Sequence, residues 1–173
     1  MSKFRPFRAI RPLPEDAKKV ASRPYDVLNS DEARLEAANN PISFLRVIKP
    51  EIDLPSDSDP YGEEVYRQGL AKFTEFKELG ILVQDPEAFF YVYRLTMDGR
   101  TQTGIVGCCD YQEYYDGSIK KHELTRTAKE NDRVRHVETQ NANAEPVFFS
   151  YRGKPGIDAL VNEVTRSPIE YDF

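Results

Sequence analysis

The residues whose types and spacing suit chemistry best lie in one run, Lys120-Lys-His-Glu-Leu-Thr-Arg126. Side chains alternate along an extended chain, so Lys120, His122 and Leu124 would face one way and Lys121, Glu123 and Thr125 the other. Lys120 and Lys121 can neutralise phosphate oxygens, and Arg126 offers a two-pronged guanidinium. His122 or Glu123 can orient or deprotonate a nucleophile. The same run also reads as a solvated edge strand whose mixed charges discourage aggregation.

A helix expected from about Ala128 to Asn141 carries Lys129, Arg133 and His136 at steps of four and three, which places all three on one face. Arg133 and His136 would line the same phosphate pocket. The alternative is a solvent-facing basic stripe. Tyr25 and Asp26 follow Arg23-Pro24 and could present a hydroxyl and a carboxylate to a substrate, or close a hydrogen-bonded turn. No metal is expected, since His122 and His136 have no thiol or second histidine at ligand spacing. Cys108 and Cys109 are adjacent, which disfavours a disulfide between them and suits small core residues in a strand. That cysteine usage fits a reducing compartment, hence the cytoplasm. Phe89, Phe90, Tyr91 and Tyr93 read as core aromatics, with Phe148 and Phe149 as partners, rather than as a base-stacking sheet.

The elements that must position these residues belong to a chain of 173 residues, with 39% apolar and 31% charged residues. That balance excludes a disordered chain, and no stretch approaches the roughly 20 apolar residues of a spanning helix. Net charge is −5, unevenly distributed. Met1–Arg23 holds seven basic residues against two acidic, and Ser118–His136 six against three. Between them Pro24–Gly117 holds eight basic against eighteen acidic. Two short basic islands in an acidic body argue against nucleic acid, whose affinity needs many phosphates neutralised at once. A small anionic ligand or nucleotide remains compatible.

A strand is expected near Phe4–Arg11 and a short helix from about Pro14 to Ala21. Arg23–Val27 should be extended, because Pro24 disfavours helical Arg23. Asn29 with Glu32 forms a capping box that opens a helix ending before Pro41. Ser43–Ile48 alternates as a strand does, and the proline-containing, acidic stretch Lys49–Asp59 reads as an exposed loop. Asp59 and Pro60 would start an amphipathic helix marked by Val65, Tyr66, Leu70, Phe73, Phe76 and Leu79, ending at Gly80. Asp98-Gly99 is the strongest hairpin signal, joining Phe89–Thr96 to Thr101–Asp110. A strand Val147–Tyr151, a helix near Gly156–Thr165 and the start of a strand at Ile169–Phe173 follow. The fold class is α+β, a mainly antiparallel sheet with a central hairpin at about 89–110 and packed helices. An end inside an expected strand suggests that residues 1–173 are a single N-terminal domain, or part of one, of something longer.

Several segments together resemble one family: Phe4-Arg-Pro-Phe-Arg-Ala-Ile-Arg-Pro12, Ala21-Ser-Arg-Pro-Tyr-Asp-Val-Leu28, Asn40-Pro-Ile-Ser-Phe-Leu45 and Pro50-Glu-Ile-Asp-Leu-Pro55. Tyr91-Val-Tyr-Arg94, Arg100-Thr-Gln-Thr-Gly104, the Lys120–Arg126 run and Asn141 through Phe148 continue the match in order. The family is the prokaryotic domain of unknown function 1015, sometimes labelled as similar to ParB or SpoOJ proteins. Its members are usually about twice as long, and their C-terminal part carries an Asp-Gly-His-His-Arg motif like that of the ParB and sulfiredoxin superfamily, which includes nucleotide-dependent free-serine kinases. That motif is absent from this sequence. The resemblance implies the N-terminal region of a nucleotide- or phosphometabolite-handling protein, inactive without its C-terminal part, performing phosphoryl transfer to a small hydroxylated substrate with a nucleotide and magnesium. A ParB-like nucleotide-sensing regulator and a non-catalytic interaction domain are the alternatives. Partners would then be a small anion or nucleotide and the remaining part of the same chain.

Overall fold

The computed structural model describes residues 3–121 and 124–173. The fold is α+β, with short antiparallel sheets and helices. It divides into two compact units, each assembled from separate stretches of chain. The first comprises Met1–Ile10, Gln84–Leu124 and Pro146–Asp172; the second comprises Arg11–Val83 and Thr125–Glu145, with Phe173.

In the first unit the expected N-terminal strand is two shorter ones, β1 (Phe4–Arg5) and β2 (Ile10–Pro12), the latter leading into the second unit. β1 pairs antiparallel with β6 (Cys108–Cys109), Phe4 opposite Cys109 and Arg5 opposite Cys108. Between β1 and β2, Phe7 and Phe89 exchange backbone bonds of 3.0 Å. The hairpin joins β4 (Tyr91–Met97) to β5 (Arg100–Val106) with Met97 opposite Arg100. Asp98 and Gly99 turn it with φ of 51° and 76°. Positive φ at both turn residues is the conformation that Asp-Gly favours. Phe4 stacks on Phe90 with ring centroids 5.2 Å apart, and its ring lies over Gly107, where a Cβ would meet it at 2.5 Å.

In the second unit, α1 (Pro14–Val20) buries Ala17 and Val20, and α2 (Ser30–Ala37) starts at the Asn29–Glu32 capping box. Ala33 and Ala37 of α2 pack with Leu28, Leu45, Ile48 and Ile52 in one apolar cluster. The helix α4 (Glu63–Glu78) buries Val65, Tyr66, Phe73 and Phe76 along one side. β3 (Leu82–Gln84) pairs with β2. α6 (Thr127–Gln140) ends at Asn141, which takes the left-handed conformation at φ 49° that Asn tolerates better than most residues.

Several expectations change. Ser43–Ile48 is not a strand: Leu45–Ile48 is a helical turn, α3, with Leu45, Val47 and Ile48 all buried. Lys49–Asp59 is not simply exposed, since Pro50–Asp53 is a 3-10 turn with Pro50 and Ile52 buried. Its charges are paired inward, Lys49 Nζ with Glu51 at 3.0 Å and Arg46 with Asp53. Tyr25–Val27 is a 3-10 turn rather than extended, because a proline restricts the residue before it, not those after. α4 begins with Gly62 as its N-cap instead of Asp59, whose carboxylate accepts the Tyr61 N–H at 2.9 Å. Val147–Tyr151 and Ile169–Phe173 form no strand. Phe89, Phe90, Tyr93, Phe148 and Phe149 are exposed rather than core, and so is Cys108. The helical turn α5 (Gln112–Tyr115) is unexpected, whereas α7 (Pro155–Val164) lies where a helix is expected near Gly156–Thr165; both belong to the first unit. No helix among the described residues is long and apolar enough to cross a membrane.

Candidate functional site

In the first unit the chain from Asp110 to Lys121 is folded by its own polar groups. Asp110 accepts the Gln112 N–H at 3.0 Å and pairs with the Lys3 ammonium at 3.0 Å. The Lys3 ammonium chiefly, then the Gln112 amide, hold the Asp110 carboxyl below its usual range. Buried Glu113 accepts the Lys3 N–H at 2.7 Å, and its carbonyl takes the Ile119 N–H at 2.8 Å. Asp116 accepts the Ser118 N–H at 2.8 Å, which lowers its pKa, and Gly117 supplies the left-handed step at φ 78°.

This fold brings three tyrosines and two lysines to one loop. Tyr111, Tyr114 and Tyr115 meet edge to face, Tyr111 to Tyr115 at 6.3 Å and Tyr114 to Tyr115 at 5.7 Å between centroids. Tyr111 is 70% and Tyr115 75% exposed. Lys121 Nζ lies 3.9 Å from the Tyr114 ring centroid, a cation–π contact that orients the ammonium without neutralising it. Neither Lys120 nor Lys121 forms a close ion pair with a carboxylate among the described residues, and Lys120 acts on Asp116 only as a nearby charge. The run they begin is not a strand in its described part. His122 and Glu123, the expected catalytic pair, lie outside the described residues.

In the second unit α6 turns a polar stripe inward, with Asp132, His136 and Gln140 buried at steps of four. Each of these steps is one helical turn, so the three stack on the face towards α4. Gln140 Nε2 donates to the Val47 carbonyl at 3.0 Å. The two oxygens of Asp132 divide their partners: Oδ1 takes the Tyr66 hydroxyl at 2.9 Å, and Oδ2 takes Arg133 Nε at 3.1 Å and Nη2 at 2.7 Å. Arg133 Nη1 reaches Glu145 at 2.7 Å, and its guanidinium lies 4.0 Å from the Tyr25 ring centroid. Burial opposes the Arg133 charge, and the bonds to Asp132 and Glu145 outweigh it. Burial raises Glu145, with Arg133 and the Tyr25 N–H pulling the other way. Tyr25 is raised by burial against the pull of Arg133, and Tyr66 is pushed up to about 12 by burial and its bond to Asp132. Both phenols are therefore hydrogen-bond donors near neutral pH and poor acids.

His136 lies at the end of this network. Its Nε2 is 3.7 Å from Asp132 Oδ1, and its Nδ1 is buried with no hydrogen-bond partner among the described residues. Burial first, and then the Arg133 charge, push its pKa down to about 4. It is consequently a neutral ring at physiological pH. Of the expected phosphate ligands, Arg126 stands exposed as the N-cap of α6, Arg133 is committed to two carboxylates, and His136 carries no charge. Lys120 and Lys121 belong to the first unit and Arg126, Arg133 and His136 to the second. Tyr25 reaches the Arg133 network, whereas Asp26 acts on it only as a nearby charge.

Sequence reasoning missed Glu145, Tyr66 and Asp132, and it did not weigh Tyr111, Tyr114 or Tyr115. Three tyrosines within five residues, directly upstream of the two lysines, were the available signal for the loop. Nothing in the sequence pointed to Tyr66, which reads as one more apolar position of α4.

Residues 4–173 match the model of the family described as "Protein of unknown function (DUF1015)". No curated protein and no solved structure matches the chain.

Proposed function

This chain belongs to the DUF1015 family, and we propose that it binds a nucleotide, or another phosphorylated small molecule with an aromatic ring, through the loop that carries Tyr111, Tyr115, Lys120 and Lys121. The observation that supports this reading is the Lys121 ammonium held on the Tyr114 ring with no carboxylate paired to it among the described residues, beside two tyrosines that are 70% and 75% exposed. An aromatic face stacks a base at about 1–3 kcal/mol per base, independent of its identity. Ammonium groups supply the phosphate contacts. With magnesium and the neighbouring His122 and Glu123, the reaction class is phosphoryl transfer to a small hydroxyl compound; a nucleotide-sensing regulator of the ParB type would use the same contacts without transfer.

Calorimetric titration with ADP, ATP, CTP and inorganic pyrophosphate, with and without magnesium, tests the proposal. Lys120→Ala with Lys121→Ala should weaken every phosphate ligand, while Tyr115→Ala should weaken the nucleotides and leave pyrophosphate unchanged. Equal affinity of the wild type and the double lysine variant removes the reading.

A second reading, a non-catalytic interaction domain, is favoured by a different observation. On one face of the hairpin Tyr93, Leu95 and Met97 are 59%, 58% and 76% exposed, a row of apolar side chains of the kind that marks contact surfaces. Light scattering that rises with concentration, and falls for Leu95→Lys, supports it.

A further inference from the structure

The opposite face of the same hairpin borders a cleft of about 230 Å³ inside the first unit. Alternation along β4 and β5 sends Arg94, Thr103 and Ile105 to this side, away from Tyr93, Leu95 and Met97. The other wall is α7, which contributes Asp158, Val161, Asn162 and Thr165. Those positions, at steps of three and four, are a single helix face.

Three of those four residues are polar, which is unusual for a helix face turned towards a sheet, where the apolar stripe normally points. α7 has an apolar alternative, since Leu160 and Val164 are 56% and 45% exposed elsewhere on its surface. No residue of α7 is buried. The helix is thus set with polar groups towards the hairpin, and the space between them is left open.

The charges in that space are opposite and separate. Arg94 and Asp158 line the same cleft, yet neither has an ion-pair partner among the described residues, each other included. Side chains of opposite sign that share a wall without meeting can be joined by a ligand carrying both signs. Thr103, Asn162 and Tyr151, which also line the cleft, are residues with neutral donors and acceptors. The volume lies below the roughly 300–1,000 Å³ of pockets for drug-sized molecules, which restricts the occupant to a few heavy atoms.

We propose that the cleft between the β4–β5 hairpin and α7 binds a small zwitterion of the α-amino acid class, its carboxylate on Arg94 and its ammonium on Asp158. The Arg94 guanidinium supplies a planar fork for a carboxylate, and the Asp158 carboxylate accepts from an ammonium. The hydroxyl and amide groups between them suit a short polar side chain. This site is independent of the tyrosine–lysine loop and stands or falls without it.

The test is calorimetric titration of the whole chain with the proteinogenic L-amino acids one by one, and with acetate and ethylamine as ligands that carry one charge each. Binding of one or more amino acids, with neither acetate nor ethylamine binding at the same concentration, is the expected result. Arg94→Gln and Asp158→Asn should each weaken the zwitterion about tenfold or more, the scale of one lost charge-assisted hydrogen bond. Both residues are exposed, so a far-ultraviolet spectrum and melting temperature equal to wild type should accompany those losses. No amino acid binding, or acetate binding as tightly as the best amino acid, overturns the proposal. Should either variant fail to fold, the comparison of zwitterion with single-charge ligands on the wild type decides it alone.

Discussion

The Tyr66 hydroxyl donates a 2.9 Å hydrogen bond to Asp132, linking helices whose residues stand 66 apart in sequence. Both groups are buried, so the bond is shielded from competing water and Tyr66 keeps its proton to high pH. It also fixes which oxygen of Asp132 is left for Arg133.

Asp132→Ala should therefore cost more than the loss of one bond. It strands the half-buried Arg133 charge with Glu145 alone, and breaking such a pair costs about 3 kcal/mol. Tyr66→Phe removes one neutral donor and should cost about 1 kcal/mol. Urea denaturation of both single variants and the double one measures this, and the double variant should lose less than the two losses added.

His136 makes stability depend on pH in a definite direction. Its folded pKa of about 4 lies below the ordinary 6.5, so between those values the unfolded chain binds a proton that the folded one refuses. Stability contributed by neutral His136 is complete above 6.5 and declines as pH falls towards 4. Asp132 and Glu51 favour its protonated form, while burial, Arg133 and Arg135 oppose it. Urea midpoints across that window should fall with acid in the wild type and fall less in His136→Gln.

Gly69 permits a close approach within the second unit. A Cβ there would lie 3.0 Å from the Val47 carbonyl oxygen and 3.1 Å from both Pro50 Cγ and Gln140 Nε2. The carbonyl and the proline ring cannot yield as a flexible chain end does. Gly69→Ala should destabilise by about 1–3 kcal/mol despite improving helix propensity, and a lowered melting temperature would show it.

Gly107 has the corresponding role in the first unit, under the Phe4 ring. Gly107→Ala should displace that ring from Phe90 and loosen the β1–β6 pairing. Hydrogen exchange at Phe4 and Arg5 should quicken, while the amides of β4 and β5 keep their protection.

Legibility in the sequence follows the range of the interaction. Asn29 with Glu32 is a local capping box, Asp98-Gly99 a local turn, and α6 a local periodicity, and all three are found in the structure. Ser43–Ile48 misled because alternation over so few residues does not separate a strand from one helical turn, and Leu45, Val47 and Ile48 are all buried. Pro50–Asp53 misled because acidic residues imply exposure only until their partners are known, and Lys49 and Arg46 are those partners. The Arg133 network was invisible for the same reason, since Tyr25 and Tyr66 come to it from far upstream.

The first unit begins with residues that must wait for their partners. The Lys3 N–H is bonded to Glu113, 110 positions later, and β1 pairs with Cys108–Cys109. At ordinary elongation rates a ribosome takes roughly 5 to 20 s to cover that distance. During that interval Phe4 and Phe7 emerge without Phe90, Phe89 or Tyr91 to receive them. The nascent chain thus presents an aromatic, positively charged segment for several seconds before its later sequence can cover it, so the folding of the first unit is tied to the completion of the chain as far as Glu113.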